Sequence, residues 1–430
     1  MEESSVAFLR ESEENSDEEI TEIVGLRRPT LSEVSYKTSS ESSTEEKLIE
    51  LGESLPVIFD GGSRYFKVGY GGEYSPRFVF PSAIGHYRWQ NIKSGMDLRD
   101  TFIGNEVIEK WANLLVKYPI EHGIIVNWDD MEKIWHHSFY NVLHVDPEKH
   151  PLLVTEHLFT PKANKEKLIE VMFESFRVPA LYVAIQDILS LFSSGRTSGL
   201  IVNSGDQMTY GVPIEGGDIL PDSIMTMEVA GHDLSMALMK SLVNKGYSLC
   251  TMVELNLVRA IKEKLCYVAL DFFDEMFSED ATAETFTLPD GRIISVKEER
   301  YRVPEAFFQP SLLSMSTRDR QADFTCPGLH KSIHELIMNC DPVLRKIFKM
   351  NTILCGGSMA FPGMERRMVK ELQAQEHQLT NIKVIVPSEC WFSSWCGGSI
   401  LTGLNSFQHM WIYDYEYQDI GATIIHRRCF

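Results

Sequence analysis

Apolar residues along the chain fall into runs of two kinds. Segments such as "PVIFD" (56–60) and "GLIVN" (199–203) are short and continuously apolar, the pattern of strands buried on both faces. Between such runs lie longer stretches, "TPKANKEKLIEVMFESF" from Thr160 and "MVELNLVRAIKEKLCYVAL" from Met252, whose apolar positions recur at helical spacing. The alternation predicts an α/β chain from Leu55 onward, and the Met and Phe of "VMFESF" are predicted core positions of an amphipathic helix.

Two of the strands open hairpins with the same plan. "VIFDGGSRYFKVGYGG" from Val57 and "GLIVNSGDQMTYGVPI" from Gly199 each read strand, small polar turn, strand, with Asp60 and Asn203 in matching places 143 residues apart. Each alone is an ordinary glycine-containing turn. As a pair they suggest two lobes on a duplicated plan, each pushing a turn into a shared cleft, with backbone N–H groups around Ser63 and Gly205 forming an anion cradle.

Composition narrows the setting. With 430 residues, 43% hydrophobic and 24% charged, the chain is long enough for two large lobes. No apolar run reaches the about 18 residues a membrane helix needs, and the acidic start "MEESSVAFLRESEENSDEE" does not read as a signal peptide. A cytosolic protein is expected, with the nucleus as the other compartment. The eight cysteines show neither a CxxC pair nor metal-ligand spacing with histidine, so reduced, mostly buried thiols are expected. The net charge of −20 disfavours nucleic acid and anionic membrane and favours a basic protein partner. Half of that charge lies before Leu55, where fifteen acidic residues face five basic ones. Residues 1–54, rich in Ser, Thr and Glu, read as a disordered acidic tail that either solubilises the protein or serves as a partner-binding or phosphorylated arm.

A third glycine-rich stretch, "ILCGGSMAFPGMERRM" from Ile353, follows an apolar strand and opens a helix, letting a flat ligand press against backbone. Three elements with the order of two phosphate loops and an adenosine loop are then in place, and the chain resembles the actin family. The likeness covers nearly all of 55–430. It includes "KYPIEHGIIVNWDDMEKIWHH" from Lys117, "VPALYVAIQDILSLFSSGRTSG" from Val178, "IKEKLCYVALDF" from Ile261, "GGSILTGLNSFQHMW" from Gly397 and the terminal "HRRCF". The long acidic tail and altered loops look like a divergent actin-like protein of the kind found in male germ cells.

The resemblance implies an actin-like two-lobed fold with duplicated RNase H-like subdomains around a nucleotide cleft. The outer lobe would span 55–193 plus 387–430, with a smaller subdomain at 82–118, and the inner lobe 194–386, with one at 230–315. It implies ATP or ADP with Mg2+ or Ca2+ in the cleft. Ser63, Arg64 and Tyr65 match the first phosphate loop, Lys67 the phosphate-reaching lysine, and Asp206, Gln207 and Met208 the second loop. Gly231, Arg259, Lys262, Glu263, Gly357, Ala360 and Phe361 match the ribose and base pocket, Glu263 accepting from ribose hydroxyls. Asp60 and Gln186 keep a metal-side carboxylate and a water-orienting amide, the catalytic pair.

Several positions depart from the family pattern. Arg64 and Gln207 replace glycines, Asn203 replaces an aspartate that would hold metal waters beside Asp60, Tyr210 replaces a histidine near the attacking water, and Trp391 replaces a lysine beside the base. Hydrolysis needs an oriented water and metal charge, so Asn203 and Tyr210 imply weak or absent turnover. Arg64 is either bulk that blocks phosphate or a cation that compensates for a loosely held metal. The second is preferred, since a phosphate site tolerates added positive charge better than apolar bulk. His122 is expected in a hinge beside the cleft, and His136 and His137, adjacent on a helix, point to different faces.

Other departures lie on surfaces. The segment between Gly85 and Gly104 matches in length the loop that enters a neighbouring subunit in a filament but differs in chemistry, and the stretch after "PSLLSM" (310–315) is longer than its counterpart. Self-polymerisation is therefore in doubt, while a groove near Gly195 and "NSFQHMW" stays similar to the one where actin-binding proteins insert a helix. The leading expectation is a cytoskeletal, nucleotide-holding structural protein of the cytoplasm. It would act through partners or mixed assemblies with actin or actin-like chains. An active polymerising ATPase and a subunit of a chromatin or capping complex are the alternatives.

Overall fold

A computed structural model of the chain describes residues 54–87, 101–249, 251–278, 283–288, 290–314, 326–375 and 382–429. The acidic tail up to Glu53, most of the altered loop (88–100) and the extended segment 315–325 lie outside the described residues.

Two six-stranded sheets carry the architecture. The first runs in the order Ile412–Tyr413, Ala180–Ile185, Leu152–Glu156, Val57–Gly61, Tyr65–Tyr70, Phe78–Pro81. The second runs Asp218–Ile219, Thr209–Glu215, Gly199–Ser204, Thr352–Cys355, Val384–Ile385, with Met225–Met227 pairing farther along the same edge of Thr209–Glu215 as Asp218–Ile219. In each sheet a central strand pairs antiparallel with its hairpin partner on one side and parallel with a later strand on the other. The registers repeat as well. Asp60 faces Lys67 across the first hairpin, and Asn203 faces Tyr210 across the second. Val57, Ile58 and Phe59 are fully buried, as are Ile201 and Val202, because each central strand is covered on both faces.

Each sheet has its own core. The first gathers Phe59, Phe139, Trp135, Trp395 and Trp411, and the second Leu234, Leu238, Val258, Phe307, Phe348 and Met359. A third cluster, with Leu191, Ile201, Tyr210, Val212 and Ile353, lies at the base of the cleft. Close packing of two helices, Gln186–Ser193 and Ser393–Gly403, depends on Gly397, where a Cβ would fall 1.8 Å from the Leu189 carbonyl oxygen. Met172, Phe173 and Phe176 are buried as predicted.

One predicted helix is shorter than its apolar pattern. Met252–Leu265 begins with a capping box, Thr251 Oγ1 accepting from Glu254 N and Glu254 Oε2 from Thr251 N, and stops at Cys266. The following "CYVAL" leaves the helix because its backbone finds other partners. Tyr267 N donates to Arg300 O, and Val268 N to Pro362 O, while Cys266, Val268 and Ala269 stay buried.

Candidate nucleotide cleft

The two hairpin turns face each other across a cavity of about 540 Å3, within the range of about 300–1,000 Å3 usual for small-molecule sites. Both turns close the same way. Gly62 N donates to Tyr65 O, and Gly205 N to Met208 O, so these two amides are spent inside the turns. The amides of Ser63, Arg64, Asp206 and Gln207 take no part in those bonds. The cradle expected around Ser63 and Gly205 therefore rests on the residues after each glycine. Both turns are braced from behind, Ser82 donating to Gly62 O from its Oγ and to Arg64 O from its N–H, and Gly231 N and Ser358 Oγ donating to Gly205 O.

Of the cleft residues picked out from the sequence for nucleotide, metal or catalysis, every one except Asp60 lines the cavity. Asp60 lies fully buried behind it and accepts from Lys67 Nζ at 2.7 Å, Ser394 Oγ at 2.9 Å, Thr155 Oγ1 at 2.7 Å and Gln186 Nε2 at 3.0 Å. Burial alone would raise its pKa. The charge and hydrogen bond of Lys67, with those of Thr155 and Ser394, hold it below the usual carboxylate range. Gln186 Nε2 also donates to Gly61 O and Thr155 Oγ1, which fixes the amide against the wall of the first sheet.

The second hairpin carries different chemistry at the matching positions. Asn203 Nδ2 donates to Asp187 Oδ1 at 3.2 Å, and the Tyr210 hydroxyl donates between the two Asp187 oxygens at 3.0 and 3.1 Å. Asp187, which sequence reasoning missed, is fully buried with no cation beside it among the described residues. Burial pushes its carboxyl up to about 6 against the pull of those two donors. The one sequence signal for it was an acid set within the apolar "VAIQDILSLF".

The helix Met252–Leu265 lays Asn256, Arg259 and Glu263 on one face, toward the cleft. Lys262 Nζ reaches back to Gly231 O at 2.7 Å and Ser235 Oγ at 2.9 Å, and burial lowers its pKa. Gly231 is required there, since a Cβ would meet Ser358 Oγ at 2.6 Å. Arg259 donates to Asn256 Oδ1 at 3.1 Å and lies 3.6 Å from Asp206 Oδ2. Arg64 crosses the cleft, donating to Tyr118 Oη and to Asn256 Oδ1. Gln207 crosses it in the other direction, its Oε1 accepting from His122 N at 2.6 Å. His122 has the positive φ of a tight hinge, 50°, in the place expected for it. His136 is exposed and His137 packs on Phe80, so the adjacent rings do face different surroundings.

The cavity suits a phosphorylated ligand. Arg64, Lys67, Arg259 and Lys262 line it against two carboxylates, Asp206 and Glu263, and the buried Nε atoms of Arg64 and Arg259 lack a hydrogen-bond partner among the described residues. At Gly205 and Gly357 a Cβ would meet nothing nearer than 3.8 and 4.0 Å, so open space stands directly before these backbones. Trp391, 41% exposed, borders the same cavity with Ala360 and Phe361. The donors fit a divalent cation less well. All four acceptor positions of Asp60 are taken, Asn203 turns its amide nitrogen to Asp187 and Tyr210, and no group of three metal-ligating side chains occurs among the described residues.

Among the described residues no helix is long and apolar enough to cross a membrane. A family model described as Actin matches residues 52–430, which takes in both sheets, both hairpins and the third glycine-rich loop. With two lobes around a cleft built from those loops, the chain belongs to the actin family and has its α/β, two-lobed fold.

Proposed function

We propose that the protein is a cytoskeletal, actin-like structural component of the cytoplasm that holds an adenine nucleotide between its lobes and hydrolyses it weakly or not at all. The observation that carries this reading is the cationic cleft in a strongly acidic protein. Four cations and the outward amides of two opposed turns surround 540 Å3 in a chain of net charge −20. Lys67 and the turn amides would take the phosphates, Arg259, Lys262 and Glu263 the ribose side, and Phe361 with Trp391 the base.

Weak hydrolysis follows from where polar groups are engaged. In-line attack needs a water oriented by free acceptors or donors near the terminal phosphate. Tyr210 spends its hydroxyl on Asp187, and Gln186 spends its NH2 group on Asp60, Gly61 and Thr155, which leaves its Oε1 alone to orient a water. Binding would then act structurally, tying the lobes together. A partner would dock by the groove near Gly195, a basic one by the acidic tail, and actin or another actin-like chain by mixed assembly.

The test is thermal denaturation of the full chain against ATP and ADP. A ligand that binds only the folded state stabilises it by about 2.7 kcal/mol at one hundred times its dissociation constant, so Tm should climb with nucleotide concentration. A Tm that stays flat up to millimolar nucleotide, with and without divalent cation, would sink the reading.

A further inference from the structure

Arg64 is nine-tenths buried, yet no carboxylate lies within ion-pair distance of it among the described residues. Its two terminal nitrogens donate to neutral oxygens, Tyr118 Oη and Asn256 Oδ1, and its Nε is buried without a partner among the described residues. Arg259 donates to the same Asn256 oxygen, and its Nε is likewise buried and unpaired. Two guanidinium groups thus converge on one amide oxygen, with Asp206 at 3.6 Å from Arg259 as a counter-charge, and both border the cavity. Burying like charges side by side is costly unless an anion joins them. A guanidinium keeps its charge at any working pH and presents a planar fork that matches phosphate oxygens.

The carboxylates at the cleft base are committed elsewhere. Asp60 is saturated by four donors, and Asp187 lies beneath the cavity floor, capped by Tyr210 and Asn203. Neither offers a free oxygen to the waters of a bound cation.

We propose that Arg64 supplies the positive charge on the nucleotide phosphates that a divalent cation would otherwise bring, so that this cleft binds nucleotide without magnesium or calcium. The proposal rests on the cleft being a nucleotide site. Its chemistry is charge neutralisation by the guanidinium, with Arg259 beside it on the same Asn256 oxygen and no bond made or broken.

Calorimetric titration of the full chain with ATP, once in excess EDTA and once in magnesium, tests this without any variant. The two dissociation constants should agree within about threefold, a difference of well under 1.4 kcal/mol. Arg64→Gly, checked for folding by circular dichroism, should weaken binding in EDTA about tenfold or more, the scale of one charge-assisted hydrogen bond, and magnesium should restore part of the loss. Arg64→Lys, which keeps a point charge, should fall between the two. Wild-type binding that appears only with divalent cation overturns the proposal, as does an Arg64→Gly variant that binds ATP as tightly as wild type or tighter. Failure to bind ATP or ADP under either condition overturns the nucleotide reading itself.

Discussion

Restoring an aspartate at position 203 should harm this protein unless Asp187 is removed as well. Asn203 Nδ2 donates to Asp187 Oδ1 at 3.2 Å, so Asn203→Asp deletes a donor and sets a second carboxylate against a fully buried first one. Losing a hydrogen bond to a charged acceptor costs about 1.5–3 kcal/mol. Burial already lifts Asp187 to about 6 with Asn203 and Tyr210 pulling it down. Relieving the new repulsion by keeping one proton on the pair at neutral pH adds about 1.4 kcal/mol per pKa unit short of neutrality. A net loss of about 3 kcal/mol is expected, a large part of the roughly 5–15 kcal/mol that stabilises a typical domain. Urea denaturation at neutral pH reads it as a fall in midpoint at constant slope. Adding Asp187→Ala to Asn203→Asp should recover most of the loss, with a coupling energy of at least about 1 kcal/mol between the two sites. The penalty should also shrink in mild acid, where one member of the pair is protonated. An Asn203→Asp variant within about 0.5 kcal/mol of wild type, or an Asp187→Ala effect equal in both backgrounds, would refute the pairing. For the same reason, recovering hydrolysis would take Asp187→Ala, Asn203→Asp and Tyr210→His together.

Two further outcomes follow from the cleft. His157 is buried beside Tyr210, and burial, with His122 nearby, lowers its pKa to about 4 from an ordinary 6.5. A depressed folded pKa gives stability present above 6.5 and lost as pH falls toward about 4, here by about 3 kcal/mol. Phe159 N donates to His157 Nδ1, so His157→Asn, which keeps an acceptor there, should flatten this part of the stability profile, and an unchanged slope would count against it. Gln207→Gly removes the acceptor for His122 N, and the His122 amide should exchange faster with solvent at a stability cost of about 1 kcal/mol. Unaltered exchange at that amide would mean the bond does not tie the lobes.

The hairpins were legible because their cues are local: an apolar run, a polar strand end, a glycine-bearing turn. The lining residues were legible because the actin-like loops fix them by position, and all but Asp60 border the cavity. What stayed hidden depended on distant neighbours or on burial. The partners of Arg64, Tyr118 and Asn256, lie 54 and 192 residues away along the chain. Asp187 reads as an ordinary polar residue opening a helix until the fold shows it fully buried. The apolar pattern past Leu265 looked helical because periodicity does not register that Arg300 and Pro362 offer carbonyls to an extended backbone.

The four departures in the two hairpins show the same limit from another side. Weighed singly, Arg64 and Gln207 are lost glycines, and Asn203 and Tyr210 are lost catalytic groups. The fold pairs them differently. Arg64 and Gln207 both reach across the cleft, to Asn256 and to His122, so the side chains that took the place of flexible turn residues now join the lobes. Asn203 and Tyr210 both donate to Asp187, so a buried carboxylate and its two donors form one unit. Changing any member alone leaves the others with an unmet charge or an unmet donor, a cost paid in the folded state whatever the effect on nucleotide. A substitution read by position tells which chemistry was removed. Its sign is set by the neighbours it acquired.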